Sequence, residues 1–172
     1  MEQDGDMKEE EHGKRGKAVR ESVSFILYLI VIVVLTFLMI RYVGQRTRVD
    51  GSSMENTLTN GDNLIVDKIS YRFHEPERFD IIVFPYQYKE DTYFIKRIIG
   101  MPGETVQITD KGEILINGEE LVESYGREVI KDPGLASDPI TLGEDEYFVM
   151  GDNRNYSKDS RFPALSRPAL PQ

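Results

Sequence analysis

Residues 23–40 read VSFILYLIVIVVLTFLMI, an 18-residue run without a charged side chain. At a rise of about 1.5 Å per residue, a helix of this length covers about 27 Å, close to the thickness of the hydrocarbon core of a bilayer. The many β-branched residues would also suit a pair of buried strands, but the run contains no turn signal. We therefore predict one transmembrane helix over residues 21–43.

The sequence on either side of this helix indicates an uncleaved anchor and its orientation. A cleavable signal peptide has a shorter apolar core of about 7–15 residues, followed by a small-residue cleavage site. Here the run continues into Arg41 and Gln45 without an Ala-x-Ala pattern. More cations lie before the helix than after it, which favours a cytoplasmic N-terminus. Residues 1–20 mix acids and bases, and we expect a disordered cytoplasmic tail there.

The chain beyond the anchor is predicted to fold as one mostly β, extracytoplasmic domain over residues 44–161. Short β-type runs alternate there with Gly, Pro and Asp, as in a β-rich domain. The runs are 63–66, 80–84, 93–99, 105–108, 113–116 and 147–150. Asn117-Gly118 indicates a tight hairpin turn before residues 120–122. We expect a loop over 124–139 and an irregular tail over 162–172, where Pro recurs.

The composition excludes several kinds of chemistry. The chain has 21 basic and 30 acidic residues, a net charge of −9, and such an acidic chain is poorly suited to neutralising nucleic-acid phosphates. It has no Cys and two His, which excludes disulfides and thiolate chemistry and leaves few residues for a metal site or a Ser-His-Asp triad. We therefore predict no nucleic-acid partner, no metal and no cofactor, and a general base other than histidine.

A lysine within the run 93–99, YFIKRII, is the candidate base. Alternation along a strand places Phe94, Lys96 and Ile98 on one face, which is unusual for a row of solvated side chains. Large apolar neighbours would remove hydration from the ammonium group and lower its pKa from about 10.4. A neutral amine can take a proton from a serine hydroxyl, so this strand is a candidate for half of a serine–lysine dyad.

Two loops carry the other candidate residues. Gly51-Ser52-Ser53-Met54 follows the anchor, and residues 151–161, GDNRNYSKDSR, follow the last predicted strand. Taken alone, the first is typical of a polar loop that contains two serines. The second, taken alone, is typical of a solvated loop with a contact between Asp159 and Arg161.

Together these segments resemble type I signal peptidases, the bacterial leader peptidases of the serine–lysine dyad type. The matching motifs follow one another in order behind a single anchor and cover nearly the whole chain. They are GSSM at 51–54, GD at 61–62, RFDIIVF at 78–84, KRIIGMPGE at 96–104, and GDNR at 151–154 with Ser157, Asp159, Ser160 and Arg161. The resemblance implies a membrane-anchored, β-rich catalytic domain of the signal-peptidase type, preceded by one transmembrane helix.

The resemblance also implies roles for individual residues. Ser53 is the expected nucleophile, and Lys96 is the expected general base, which later protonates the leaving amine. The Ser53 backbone N–H is an expected oxyanion donor. Gly51 stands where some family members have a second donor, a hydroxyl, so no second donor is assigned. The supporting residues are Ser157, which is expected to orient the Lys96 amine, and the ion pairs Asp159–Arg161 and Asp152–Arg97. The residues expected to line substrate pockets are Met54, Ile81, Val83 and Ile95.

The implied function is the removal of signal peptides from exported preproteins. The family cuts after small residues at the first and third positions before the bond, so shallow apolar pockets are expected. The expected partners are secretory preproteins and the lipid bilayer, and the protein is expected to be a monomer. Its expected location is the cell membrane, single-pass, or another bacterial-type export membrane.

Two departures from the family pattern leave an alternative open. Asn56 stands where the family usually has Pro, and the chain after Arg161 reads FPALSRPALPQ where members continue into a further strand. Loss of that strand would expose a sheet edge, so the alternative is a catalytically impaired, membrane-anchored peptide-binding homologue. Self-cleaving repressor-type proteases share the dyad but lack an anchor. Penicillin-binding enzymes need a Ser-x-x-Lys motif, which Ser53 does not begin.

Overall fold

The computed structural model describes residues 3–86, 89 and 91–163, with side chains from Lys17 onwards except 18 and 19. The chain forms two compact units, divided between Gln45 and Arg46. Most of the tail that was predicted to be irregular, residues 164–172, lies outside the described residues.

The N-terminal unit is one long helix, α1 (Gln3–Tyr42, 40 residues). Its segment Arg20–Tyr42 has 23 residues and is long and apolar enough to cross a membrane. The large apolar side chains of this segment are exposed, as expected of a helix that has no protein core to bury them. The helix predicted over 21–43 is therefore present as the C-terminal part of α1.

The backbone of residues 3–20 differs from the disorder that was expected there. It continues α1 without a break. The segment is rich in Glu, Lys and Arg, which have good helix propensity. Nucleation is the costly step in helix formation, and a neighbouring helix removes that cost for residues added to its end. The polar composition correctly indicated that residues 3–20 form no buried core, but it did not predict that α1 extends through them.

The described residues beyond α1 form nine short strands in three sheets, of which the first begins at Gly44, just before the division. The strands are β1 (Gly44–Arg48), β2 (Asn63–Asp67), β3 (Ile81–Pro85), β4 (Tyr93–Gly100), β5 (Thr105–Ile108), β6 (Ile114–Ile116), β7 (Glu119–Glu120), β8 (Ile140–Thr141) and β9 (Phe148–Met150). The sheets have the orders β1-β2, β3-β4-β9 and β7-β6-β5-β8. Short 3-10 helices cover Ser70–Arg72, Gly134–Ser137 and Arg154–Tyr156. The prediction of a β-rich domain is confirmed.

The turn between β6 and β7 has the geometry that its sequence predicted. Asn117 and Gly118 both have positive φ, at 53° and 85°, as a type I′ hairpin turn requires. The second strand begins at Glu119, one residue earlier than expected. β1 and β8 were not predicted, because they are short and lack a clear alternation of apolar and polar residues. The predicted loop over 124–139 contains the 3-10 helix Gly134–Ser137.

The central strand β4 is buried on both faces. It pairs antiparallel with β3 on one side and with β9 on the other. Ile99 belongs to the larger apolar cluster, which is made with β5, β6 and the loops around Ile130 and Leu142. Ile98 belongs to a second cluster with Ile82, Phe84 and Val149. From Lys96 to Gly100, the side chains of β4 are therefore buried on both faces of the strand, which decides the environment of Lys96.

Gly100, at the end of β4, leaves no room for a side chain. It pairs with Phe148 after an irregularity in the β4–β9 register. A Cβ at this position would lie 2.5 Å from Val106 Cγ2 and 3.0 Å from both Leu142 Cδ1 and Phe148 Cβ. The glycine therefore lets β4 and β9 approach each other above the larger cluster.

Gly100→Ala should lower the free energy of unfolding by about 1–3 kcal/mol, because a methyl group overpacks a filled core. Urea unfolding of the full chain in detergent measures the change. Gly143→Ala is the matched control, since its Cβ would make only ordinary contacts, 3.4 Å from the Glu146 side chain. The control should change stability by less than about 0.5 kcal/mol. Equal losses in the two variants would contradict this account of Gly100.

Candidate active site

Ser53 lies in a tight turn between β1 and β2. Glu55 N donates to Ser52 O at 3.1 Å, and Leu58 N donates to Met54 O at 2.8 Å. Asn56 has a φ of 84°, which the proline ring, fixed near −65°, cannot adopt. Asn tolerates this left-handed conformation better than most residues. The departure from the family pattern at this position is thus accommodated by the turn itself.

Lys96 reaches Ser53 from the middle of β4. Its Nζ donates to Ser53 Oγ at 2.8 Å and to the Ile95 carbonyl at 2.9 Å. Only 1% of the residue is exposed. In the β3–β4 register Lys96 lies opposite Ile82, on the face occupied by the second apolar cluster. The two residues expected to form the dyad are thus brought into hydrogen-bond contact.

The surroundings of Lys96 favour its neutral form. Burial lowers the pKa of Lys96 from its ordinary value of 10.5 to about 8, although the nearby carboxylates of Asp159 and Asp152 act to raise it. The Phe94 ring lies 5.3 Å from Nζ and contributes to the apolar environment. Desolvation of the ammonium group therefore outweighs the attraction of the two acids.

Both carboxylates near Lys96 belong to ion pairs that were expected from the resemblance. Asp152 accepts from Arg97 Nε at 2.9 Å and from Nη2 at 2.7 Å. Asp159 accepts from Arg161 Nε at 2.8 Å and from Nη2 at 2.9 Å. All four side chains are almost fully buried. Two parallel N–H···O bonds in each pair fix the planes of both groups.

Each arginine also crosslinks segments that are distant in sequence. Arg97 Nη1 donates to the Phe79 carbonyl at 2.8 Å, and its guanidinium stacks on the Tyr125 ring at 3.8 Å. Arg161 donates to the carbonyls of Asp132 and Arg154 at 3.0 and 2.5 Å. The two ion pairs thus join β4 and the 151–161 segment to the loops around them.

Ser157 is buried, but its expected hydrogen bond to Lys96 is not formed. Its Oγ has no hydrogen-bond partner within the described part of the chain. Lys96 instead directs donors to Ser53 and to the Ile95 carbonyl. Ser157 nevertheless lies beside the site, since a Cβ added to Gly151 would collide with both Ser157 and the Ser53 carbonyl.

The four residues expected to line substrate pockets are not equally accessible. Met54 is buried, with 2% of its surface exposed, and therefore packs in the interior. Val83 and Ile95 are half-buried and lie opposite each other across β3 and β4. Ile81, two residues from Val83 on β3, is the most exposed of the four. The three β-strand residues form one apolar row at the β3 edge of the sheet.

Two residues at the site were not singled out from the sequence. Thr57 Oγ1 donates to Asp152 Oδ2 at 2.5 Å. Asn153 donates from its backbone to Ser53 O and from its side chain to Ser52 O. Both lie in loops, where no periodicity reveals which side chains point inward. Among the residues that the structure describes, no group of three or more acidic or histidine side chains is placed to hold a metal ion.

A family model described as signal peptidase, peptidase S26, matches residues 21–169. The chain belongs to this family. Its recognition as a relative of the type I signal peptidases is therefore confirmed.

Individual relatives agree with the family match. The chain is 44% identical over 128 residues to signal peptidase I of Leptolyngbya laminosa, covering 70% of this chain and 61% of that one. It is 40% identical over 126 residues to a probable signal peptidase I-2 of Synechocystis sp., covering 70% and 56%. It is 35% identical over 146 residues to signal peptidase I P of Bacillus subtilis subsp. natto, covering 81% and 78%. The chain thus matches less than two thirds of the length of the first two relatives.

The chain is also similar to solved structures. One of them is a signal peptidase I from Enterococcus faecalis, 34% identical, which covers 55% of this chain and 91% of that chain with a TM-score of 0.42.

Lys96→Met should stabilise the fold at neutral pH. Between pH 8 and 10.5 the unfolded chain binds more protons at this position than the folded chain, so the native protein gains stability as pH rises through this window. Below pH 8 Lys96 is charged in both the folded and the unfolded chain, and burial of the ammonium group then lowers the free energy of unfolding by its full amount. A pKa shift from 10.5 to about 8 corresponds to about 3 kcal/mol. An apolar side chain of similar length removes that cost.

Unfolding measured at pH 6, 8 and 10 tests this. The stability advantage of Lys96→Met over the native protein should be largest at pH 6 and shrink towards pH 10. Lys68→Met, at an exposed lysine, is the control and should stay within about 0.5 kcal/mol of the native protein. An advantage that does not vary with pH would contradict desolvation as its cause.

Proposed function

We propose that the protein is a membrane-bound serine endopeptidase that removes signal peptides from exported preproteins with a Ser53–Lys96 dyad. The observation that carries the proposal is the 2.8 Å contact between Lys96 Nζ and Ser53 Oγ inside a β-sheet core. A lysine whose pKa is lowered to about 8 by burial is neutral in about a tenth of molecules at pH 7, against fewer than about one in a thousand for an ordinary lysine. Such an amine is competent to act as a general base.

The proposed reaction has two stages. Lys96 Nζ takes the proton from Ser53 Oγ as that oxygen attacks the scissile carbonyl carbon, and the resulting oxyanion is met by the Ser53 N–H. The Lys96 ammonium then donates this proton to the leaving amine as the C–N bond breaks, which leaves an acyl group on Ser53. Neutral Lys96 next takes a proton from a water molecule as the water oxygen attacks the acyl carbon. The Lys96 ammonium then returns this proton to Ser53 Oγ as the ester C–O bond breaks, which releases the acyl group as a carboxylic acid and restores the dyad.

The supporting residues keep the dyad in place. Arg97 directly follows Lys96 on β4, and its pair with Asp152 fixes the strand relative to the 151–161 segment. Arg161 with Asp159 fixes the other end of that segment. In the native fold each buried acid is neutralised by an arginine, so neither acts as an unpaired counterion for Lys96. Ser157 Oγ is buried beside the site and has no hydrogen-bond partner among the described residues, so Ser157 is a proposed acceptor for Lys96 once substrate displaces the present contacts.

The proposed substrate is an extended peptide with small side chains at the first and third positions before the cut. β3 is an edge strand of its sheet, so a peptide can add to it by backbone hydrogen bonds. Ile81, Val83 and Ile95 supply a shallow apolar row at this edge. Alternate residues of an extended peptide face the same side, which agrees with selection at two positions separated by one residue.

The proposed topology is a single-pass anchor with the N-terminus in the cytoplasm and the catalytic unit on the extracytoplasmic side of the membrane. The 23-residue apolar segment of α1 and the greater number of cations before it support this arrangement. Lipid and secretory preproteins are then the partners, and the net charge of −9 argues against nucleic acid. We propose that the protein acts as a monomer. The alternative of a catalytically impaired homologue has no observation in its favour among the described residues, where the dyad is in contact.

Ser53→Ala and Lys96→Ala should each lower kcat by at least about 1,000-fold, because nucleophile and base act as a unit. The assay follows cleavage of a preprotein by the full chain in detergent. Asn155→Ala is the matched control from the 151–161 segment, since its side chain bonds Glu128 and Val129 rather than the dyad. The control should keep kcat within about twofold. Full turnover by Lys96→Ala would refute the dyad.

The rate should also follow the protonation of Lys96. Because the base works in its neutral form, kcat/KM should rise with pH and level off above about 8, where Lys96 has lost its proton. Initial rates from pH 5.5 to 9.5 measure the profile. A rate that stays flat over this range would contradict lysine as the general base.

A further inference from the structure

The peptide chain on both sides of the nucleophile is held by one residue, Asn153. Its backbone N–H donates to the Ser53 carbonyl at 3.1 Å. Its side-chain Nδ2 donates to the Ser52 carbonyl at 3.0 Å. Asn153 is 2% exposed, so these two bonds are shielded from competition with water. Two successive carbonyls of the nucleophile turn thus have the same donor residue.

These bonds fix the direction of a group that the reaction needs. The Ser52 carbonyl and the Ser53 N–H belong to the same planar trans peptide and point in opposite directions. When Nδ2 of Asn153 holds the Ser52 oxygen, it therefore also sets the direction of the Ser53 N–H. The bond to the Ser53 carbonyl holds the following peptide. With both peptides fixed, the Cα–Cβ bond that carries Oγ has a defined orientation.

Asn153 itself is attached to the strand that carries the base. Its neighbour Asp152 is held by Arg97 through two hydrogen bonds, and Arg97 follows Lys96 on β4. A closed circuit of contacts results, from Lys96 to Ser53, Asn153 and Asp152 and back through Arg97. The nucleophile and the base are therefore positioned relative to the same short segment of backbone.

Of the two polar atoms in the Asn153 side chain, Nδ2 forms hydrogen bonds with described residues and Oδ1 does not. Nδ2 has two acceptors, the Ser52 carbonyl and, at 3.5 Å, Glu55 Oε2. Oδ1 is buried and has no hydrogen-bond partner within the described residues. A buried polar atom without a partner destabilises the fold, and such atoms are concentrated where a residue serves a site. The donor end of Asn153 therefore accounts for its presence better than packing does.

We propose that Asn153 is a positioning residue that holds Ser53 and its N–H for attack on the scissile carbonyl. This inference rests on the proposed function. Asn153 touches no reacting atom and acts through the backbone of Ser52 and Ser53. Removing its Nδ2 frees the Ser52–Ser53 peptide to rotate, which misaligns both Oγ and the oxyanion donor. Because peptide binding by the β3 edge does not involve Asn153, the loss falls on kcat rather than on KM.

The test compares Asn153→Ala with Asn155→Ala in the full chain in detergent, with a preprotein as substrate. Asn153→Ala should lower kcat by about 100-fold, as expected for a misplacement of about 1 Å at the reacting atoms. KM should stay within about twofold, and the pH at which kcat/KM levels off should not move, because the surroundings of Lys96 are unchanged. Asn155→Ala removes an amide from the same segment and should keep kcat within about twofold.

Asn153→Asp is a second variant of nearly the same volume, which remains informative if the alanine variant does not fold. A carboxylate cannot donate to the Ser52 carbonyl, whereas a protonated carboxyl group can. The activity of Asn153→Asp relative to the native protein should therefore fall as pH rises. A residue with only a structural role would give a ratio that follows the folded fraction instead.

The outcomes separate this inference from the proposed function. Three results would overturn the role of Asn153. They are a kcat within twofold of the native value in both Asn153 variants, an increase in KM with kcat unchanged, and an equal decrease of kcat in Asn155→Ala. If the native protein cuts the preprotein and Ser53→Ala does not, while the Asn153 variants are unaffected, only this inference fails. If Ser53→Ala cuts as fast as the native protein, the proposed function fails and this inference with it.

Discussion

The desolvated contact between Lys96 and Ser53 is the constraint on which the rest of the structure depends. An amine loses its proton at moderate pH only if the protein excludes water from it, and a short β domain can do this only at the centre of a sheet. β4 therefore needs a strand on each side and an apolar cluster on each face. Ser53 must then reach this interior from a loop, which the turn after β1 provides.

Contacts within the loops around the site, rather than strand pairing, fix the position of Ser53. Ser53 lies on a turn, and its neighbour Met54 is buried. The remaining fixation is polar and comes from the 151–161 segment, which follows β9 directly. That segment is in turn fixed at both ends by arginine–carboxylate pairs. The order of chain elements thus lets one strand, β4, determine the geometry of several loops.

Much of this arrangement was predictable from the sequence, and the exceptions have a common cause. Alternation around Lys96 and the Asn117-Gly118 turn predicted local structure correctly, because periodicity and turn chemistry are local properties. The contact between Lys96 and Ser53 was expected from the resemblance to a family. Asn153 and the missing bond of Ser157 were not foreseen, because they depend on which loop atoms meet after folding. The helix over residues 3–20 was missed because composition does not register a helical neighbour.

The two arginine–carboxylate pairs have a consequence for the medium in which the protein can work. Both acids nearest to Lys96 are matched by arginines, and all four groups lie where dissolved ions cannot approach them. Screening by salt acts mainly on charges that face solvent and weakly on buried pairs. The proton affinity of Lys96 is therefore set by the interior and should be nearly the same in dilute buffer and in brine. The buried groups around Lys96, rather than the ions in the surrounding solution, thus set the pKa of the base.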